Sequence, residues 1–353
     1  MTSISSEEVD VSTIKFGVVS PFAPVDAILF TCKLAEKLGF NSTWIGDHVV
    51  GHWGSMEALD AWTMLGAVSV NTKRISLGIV TDPVRRHPAI LAHTALTLDH
   101  ISKGRFILCI GAGEAMNIVP YGIPFDQPVS RMQEVVVILK RLWREDSVTY
   151  EGQFYQLHNA QLEPKPVQKS GVPMYIAGNS TRTMELTGRY GDGWLPFRLS
   201  PDLYKKNLDR LREYVRKCGR SEKEVEPCLW LFTGVSENYK RLQRFKEVGK
   251  RLMLLSPKIL VKFGHEVSPD LDIHRLVITK ETYSDIEVYS KKIPDEVVDE
   301  TCVIGTPNVC IEKIEKYVKS GARHIILIVL NPLNEMEYVL RTYSKEIMPC
   351  FEG

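Results

Sequence analysis

Lys15-Phe-Gly-Val-Val-Ser-Pro-Phe-Ala-Pro24 is a short apolar run that breaks into two prolines instead of a glycine-rich turn. The first strand of an open, doubly wound sheet usually leads into glycines that let a nucleotide's phosphates approach the backbone. No such turn follows here. As the first strand of a closed parallel barrel the run needs none. What comes next keeps the rhythm of a barrel: residues 26–38 repeat apolar side chains at helical spacing and stop at Gly39, and 42–45 reads as a second strand.

The alternation continues to the end of the chain. Strands are predicted at 75–79, 105–110, 174–177, 193–197, 228–234 and 324–330. Helices are predicted at 59–71, 88–101, 129–144, 181–190, 201–218, 240–263 and 307–320. Eight short strands, seven of them connected by helices, predict an α/β fold over 1–353, a (β/α)8 TIM barrel with insertions. Two stretches leave the rhythm. Residues 149–162 alternate like a small hairpin turning at Glu151-Gly152, and 271–299 form a polar insertion with no assigned structure. Residues 1–12 are polar and expected to be flexible.

Composition narrows the function classes. The 44 basic and 43 acidic residues nearly cancel, which leaves no electrostatic footprint for nucleic acid or an anionic membrane. No stretch approaches the roughly 20 apolar residues of a membrane span, and the first residues do not read as a signal peptide. Seven scattered cysteines without a C-x-x-C suit reduced thiols, so a cytoplasmic protein acting on a small molecule is expected. Cys109, inside the fourth apolar run, reads as a core residue.

Barrels of this kind build their sites from the loops after the C-terminal ends of the strands. That rule selects Asp47-His48 and His52-Trp53 after strand two, Thr81-Asp82 after strand three and Gly111-Ala-Gly-Glu-Ala-Met-Asn117 after strand four. It also selects Ala177-Gly-Asn-Ser180 after strand five and Arg198 after strand six. Gly111 and Gly113 permit close approach to a flat ligand, and Glu114 sets a carboxylate at the mouth. Asp47 beside His48 is a pair that can orient an imidazole for acid–base work, and Trp53 either walls the pocket or covers the rim. Ser180 and the preceding amides, at the start of a helix, form a candidate phosphate site. Arg85-Arg86 is either a solvated pair or a second anchor for an acidic group. No metal is expected, because there is no H-E-x-x-H and Asp47, His48 and Glu114 have no evident further ligand, and no G-x-S-x-G supports a serine nucleophile.

At these residues the sequence resembles the luciferase-like (bacterial luciferase) superfamily, in particular its branch that uses the deazaflavin coenzyme F420. Trp44-Ile-Gly-Asp-His48, Gly111-Ala-Gly-Glu-Ala-Met-Asn117, Gly171-Val-Pro-Met-Tyr-Ile-Ala-Gly178 and Gly188-Arg-Tyr-Gly-Asp-Gly-Trp194 carry the likeness, which runs essentially full length. The string Gly111-Ala-Gly-Glu-Ala-Met-Asn117 resembles the secondary alcohol and sugar-phosphate dehydrogenases of that branch. Trp62-Thr-Met-Leu-Gly66, Pro120-Tyr-Gly122 and Gly305-Thr-Pro307 resemble its phthiodiolone ketoreductases, and methylenetetrahydromethanopterin reductase is a further relative. The resemblance implies hydride transfer between the deazaflavin C5 and a carbonyl, alcohol or C=N carbon, by a homodimer or larger homo-oligomer. It implies catalytic roles for His48 and Glu114, with Trp53 the nearest match to the dehydrogenases' tryptophan, whose own slot holds His52. It implies cofactor contacts from Asp47, Asn117, Ala177, Gly178 and Asn179, and a non-prolyl cis peptide backing the ring at Gly78-Ile79; Thr81, Gly113 and Ser180 are further candidate cofactor contacts by their places at the mouth. An FMN-dependent monooxygenase and a non-catalytic flavin-binding barrel are the alternatives.

Overall fold

A computed structural model describes residues 14–51, 57–254, 256, 260–261, 263–265, 271–272 and 274–352. Eight parallel strands close on themselves: β1 (Lys15–Val19), β2 (Ser42–Gly46), β3 (Ser76–Thr81), β4 (Phe106–Ile110), then Met174–Ala177, Gly193–Leu195, Glu226–Val235 and His324–Val329. The last pairs with β1, from Lys15 opposite His324 to Val18 opposite Leu327, which seals the barrel. The long strand Glu226–Val235 also carries an extra parallel partner, Val303–Gly305, that the sequence pattern does not announce.

Two apolar layers hold this wall. Outward residues such as Leu77, Ile79, Leu108 and Ile176 pack under the helices, while Trp44, Ile107, Cys109, Tyr175, Leu195, Cys228 and Ile326 fill the interior. The Trp44 indole fits because its partner on β3 is Gly78 and because Gly17 on β1 leaves room beside its Nε1 edge. A Cβ on Gly78 would lie 2.1 Å from the indole, and one on Gly17 would lie 2.2 Å from the Ser42 hydroxyl. Cys109 is a fully buried filler, as its sequence context suggested.

Helix starts are fixed by short polar caps. Asp60 accepts from the Thr63 amide at 2.8 Å before Ala61–Asn71, and Ser180 with Thr183 forms a reciprocal capping box before Thr181–Tyr190. The hairpin appears as Val148–Glu151 against Gln156–Ala160, turning two residues later than expected. Glu134 fixes that turn by accepting from the amides of Gln153, Phe154 and Tyr155.

The insertion is partly helical. Lys280–Ser290 and Asp295–Thr301 pack on Tyr239–Leu254, and the three share an apolar cluster of Phe245, Leu252, Met253, Ile286, Val297 and Val298. After the last strand, Met336–Thr342 supplies the eighth outer helix, and Phe351 beyond it packs on Phe16 with ring centroids 5.8 Å apart. Among the described residues, no helix is long and apolar enough to cross a membrane.

Candidate active site

His48, Glu114 and Asn117 meet at the C-terminal mouth, where the loop after β2 faces the loop after β4. The β4 loop leaves the wall through Gly113, whose φ of +90° favours glycine; a Cβ there would lie 2.8 Å from Ile118 and 2.9 Å from Asp82. It then winds into a 3-10 turn at Ala115–Asn117, which turns Glu114 and Asn117 toward His48.

Asn117 organises the group. Its Oδ1 accepts from the amides of Val49 and Val50 at 2.8 and 3.1 Å, so its Nδ2 must face the other way. That nitrogen donates to His48 Nδ1 at 2.9 Å and to Glu114 Oε2 at 3.2 Å. Because Nδ1 is the acceptor, the neutral imidazole carries its proton on Nε2. Glu114 Oε2 also lies 3.6 Å from His48 Nδ1. The Phe22 ring, from the loop after β1, backs the imidazole at 4.7 Å.

Asp47 does not orient this histidine. Neighbouring residues on an extended backbone point apart, and the Asp47 carboxylate runs into a buried network instead. It accepts from Trp62 Nε1 at 2.9 Å and Thr81 Oγ1 at 2.7 Å, and it pairs with Arg85 at 3.1 Å. Arg85 also pairs with Asp82. Burial opposes the guanidinium's charge, but the Asp82 and Asp47 carboxylates hold its pKa above the usual value. Arg85 is therefore a strut that ties the loops after β2 and β3 together. Arg86 pairs instead with Asp60 at 2.8 Å and lies over the Trp62 ring.

The expected cis bond at Gly78-Ile79 is absent. Among the described residues the cis peptides are Ala23–Pro24 and Glu163–Pro164. β3 runs in unbroken register, with Gly78 opposite Trp44 and Ile107, and Ile79 opposite Ile45 and Leu108. Gly78 is covered by the indole and Ile79 faces the outer helices, so both lie below the mouth.

On the far side of the mouth, Ala177, Gly178 and Asn179 lead into the helix Thr181–Tyr190. Gly178, at φ +139°, passes against Thr183 and accepts from Trp194 Nε1 at 2.9 Å. Asn179 donates to the Phe197 carbonyl at 2.8 Å and accepts from its amide at 3.4 Å, which joins two strand ends. Ser180 accepts from the Thr183 amide at 3.2 Å, so its hydroxyl caps the helix. A cap of this form leaves the first helical amides, those of Thr181 and Arg182, to a ligand.

Arg198, selected by its place after strand six, and His274, which carried no sequence signal, also reach the mouth. Arg198 is buried at φ +56°, donates to Ser256 Oγ at 2.6 Å, and has a buried Nε with no hydrogen-bond partner. Burial pulls its pKa down to about 10, opposed by the Glu114 and Asp272 carboxylates. His274, from the insertion, donates from Nδ1 to the Gly113 carbonyl at 3.0 Å. His52 and Trp53 lie outside the described residues.

The family described as Luciferase-like monooxygenase matches residues 10–324. An F420-dependent glucose-6-phosphate dehydrogenase of Microbacterium testaceum (strain StLB037) is 29% identical over 326 residues, covering 90% of each chain. A phthiodiolone/phenolphthiodiolone dimycocerosates ketoreductase of Mycobacterium bovis (strain BCG / Pasteur 1173P2) is 28% identical over 84% of this chain and 87% of its own. Among solved structures, an F420-dependent secondary alcohol dehydrogenase in complex with an F420-acetone adduct superposes with a TM-score of 0.82. It is 25% identical, with 97% of this chain and 100% of that one covered. With the match running from before β1 to the first residue of the last strand, the chain belongs to the luciferase-like monooxygenase family.

Proposed function

We propose that this chain is a coenzyme F420-dependent oxidoreductase that exchanges a hydride with a carbonyl, alcohol or C=N carbon of a small molecule. The observation that carries the reading is the Asn117 amide shared between His48 and Glu114 at the mouth. The likeness to F420-dependent relatives on two thirds or more of both chains supports the choice of cofactor. The residues present fit it. Thr181 and Arg182 offer helix N-terminal amides to an acidic tail, beside Ala177, Gly178 and Asn179. Gly113 brings bare backbone to the mouth.

When bound, F420 supplies the hydride at its deazaflavin C5. A neutral imidazole cannot release its Nε2 proton without becoming an anion, so His48 polarises the substrate oxygen or nitrogen as a hydrogen-bond donor. Glu114 is then the group that exchanges the proton with that atom. Asn117 keeps both in place. Arg85, through Asp47 and Asp82, ties the loop that carries His48 to the loop after β3.

Quenching of F420 fluorescence on mixing, followed by reoxidation of reduced F420 with a panel of ketones, aldehydes and pterins, tests the reading. Glu114→Gln and His48→Ala are each expected to cut turnover by about 10²–10⁴-fold with the far-ultraviolet circular dichroism unchanged. Near-wild-type rates in both variants, or oxygen consumption with FMN and no F420 binding, would overturn it. A cytoplasmic homodimer or larger homo-oligomer completes the proposal, and light scattering of the purified protein checks the assembly.

A further inference from the structure

At the opposite, N-terminal end of the strands a second polar cluster lies inside the barrel. Glu226 and Cys228 stand two residues apart on one strand, so they share its inward face, and His324 opens the neighbouring strand. Donor atoms of these three residues all lie within 4.8 Å of one another. His324 and Cys228 are buried, 2% and 0% exposed, while the Glu226 side chain is 19% exposed beside Lys15.

The histidine is half engaged. Its Nε2 lies 2.7 Å from Ser42 Oγ, which also accepts from Trp44 Nε1 at 2.8 Å. Its Nδ1 is buried without a hydrogen-bond partner and looks toward Glu226 Oε2 at 3.6 Å, too far for a good hydrogen bond. Glu226 is held by Lys15 at 2.7 Å and by the Tyr175 hydroxyl. Nε2–H donating to Ser42 would leave a lone pair on Nδ1 aimed at a thiol and a carboxylate. An outer hydrogen bond that fixes the tautomer of an inner nitrogen is how proteins present histidine to a metal.

We propose that Glu226, Cys228 and His324 form a binding site for a thiophilic divalent cation of the zinc class at the closed end of the barrel. The donor set of one sulfur, one nitrogen and one oxygen matches such an ion, whose bonds of about 2.0–2.3 Å set donors roughly 3.3–3.8 Å apart. Thiolate and carboxylate together neutralise a dication, which suits a buried position. The thiolate forms as the metal enters and a proton leaves. Water from the Lys15 edge, or the Tyr175 hydroxyl, completes a four-coordinate shell. The site joins the strands that begin at Glu226 and His324 and, through Ser42, β2. It takes no part in the hydride chemistry at the other end, so it stands or falls independently of the proposed activity.

The test uses the full-length protein, reduced, treated with a chelator and exchanged into metal-free buffer, with Co²⁺ as probe. One equivalent should bind with a thiolate-to-cobalt charge-transfer band in the near ultraviolet and visible bands of tetrahedral intensity. One equivalent of Zn²⁺ should bleach them and raise the melting temperature. Cys228→Ser should remove the charge-transfer band, Ser42→Ala should weaken binding about 10–100-fold, and Cys218→Ser with Cys350→Ser, at the exposed thiols, should change nothing. If Cys228→Ser does not fold, Glu226→Gln is the second variant and must weaken binding. No stoichiometric band in the wild type would mean that His324 and Glu226 merely pair as imidazolium and carboxylate. That result, or a band that survives both substitutions, overturns the site.

Discussion

Asn117 works through the direction of its amide, which makes Asn117→Asp an informative change at the scale of one residue. The carboxylate still accepts from Val49 and Val50 but presents an acceptor to His48 Nδ1 in place of a donor. The imidazole is then favoured in its doubly protonated form. Turnover is expected to fall at least about 10²-fold, and its pH profile to gain an ionisation near pH 7. A simple loss of packing would lower the rate without adding that ionisation. Arg198 offers the converse case. It makes no ion pair among the described residues, and its folded pKa of about 10 lies below the ordinary value. The unfolded chain therefore holds that proton more tightly, so the cost to stability is full below about pH 10 and is relieved above it. Arg198→Met is expected to leave the melting temperature unchanged or raise it by roughly 2–4 °C, while kcat/KM falls. A large drop in melting temperature would show the guanidinium to be structural. The place of His48, Glu114 and Asn117 at the mouth was legible in the sequence because strand ends and glycines announce a barrel mouth. The direction of Asp47 was not, since it depends on Trp62, Thr81 and Arg85, which only the folded chain brings together.

At the scale of elements, Glu36 shows how one side chain fastens a helix to the next strand. From Val25–Lys37 its carboxylate accepts from the amides of Lys73, Arg74 and Ile75, just ahead of β3, at 2.8, 2.6 and 3.0 Å. Burial works to raise its pKa, but the three amides and the Arg74 charge lower it on balance. A depressed carboxyl pKa stabilises the fold above the unfolded value and loses that contribution as pH falls through the folded one. Glu36→Gln is expected to cost about 1–2 kcal/mol near neutral pH, and the difference should shrink below about pH 4.5. Denaturant melts at two pH values measure it; an equal deficit at both would show that charge is not involved. The eight barrel strands were readable to within two residues, because each is a short run buried on both faces. Val303–Gly305 was not, as three residues carry no period. The insertion was hidden for a related reason: in Lys280–Ser290 a single residue, Ile286, enters the cluster fully buried, which is too little to mark a helical stripe.

For the whole molecule, closure depends on the fit between Trp44 and Gly78. Gly78→Ala places a methyl group 2.1 Å from the fully buried indole. The substitution is expected to cost at least about 1–3 kcal/mol, and Trp44→Leu on the same chain should recover part of it. Additive losses in the double variant would mean that the two positions do not share the space described. The barrel as a class could be read from the chain because its strands follow one another in order around the wall. Glu226, Cys228 and His324 could not be grouped, since they lie on non-adjacent stretches that only barrel closure brings side by side.

Among the described residues the insertion reaches the mouth through the hydrogen bond from His274 to Gly113, while its own apolar residues pack among themselves, on the helix Tyr239–Leu254 and on Phe232 and Ile304. Such a part can be exchanged between relatives as a unit. Chimaeras that carry a foreign segment here should alter which molecules are admitted and leave the proton-handling residues of β2 and β4 undisturbed, so selectivity can diverge faster in this lineage than chemistry.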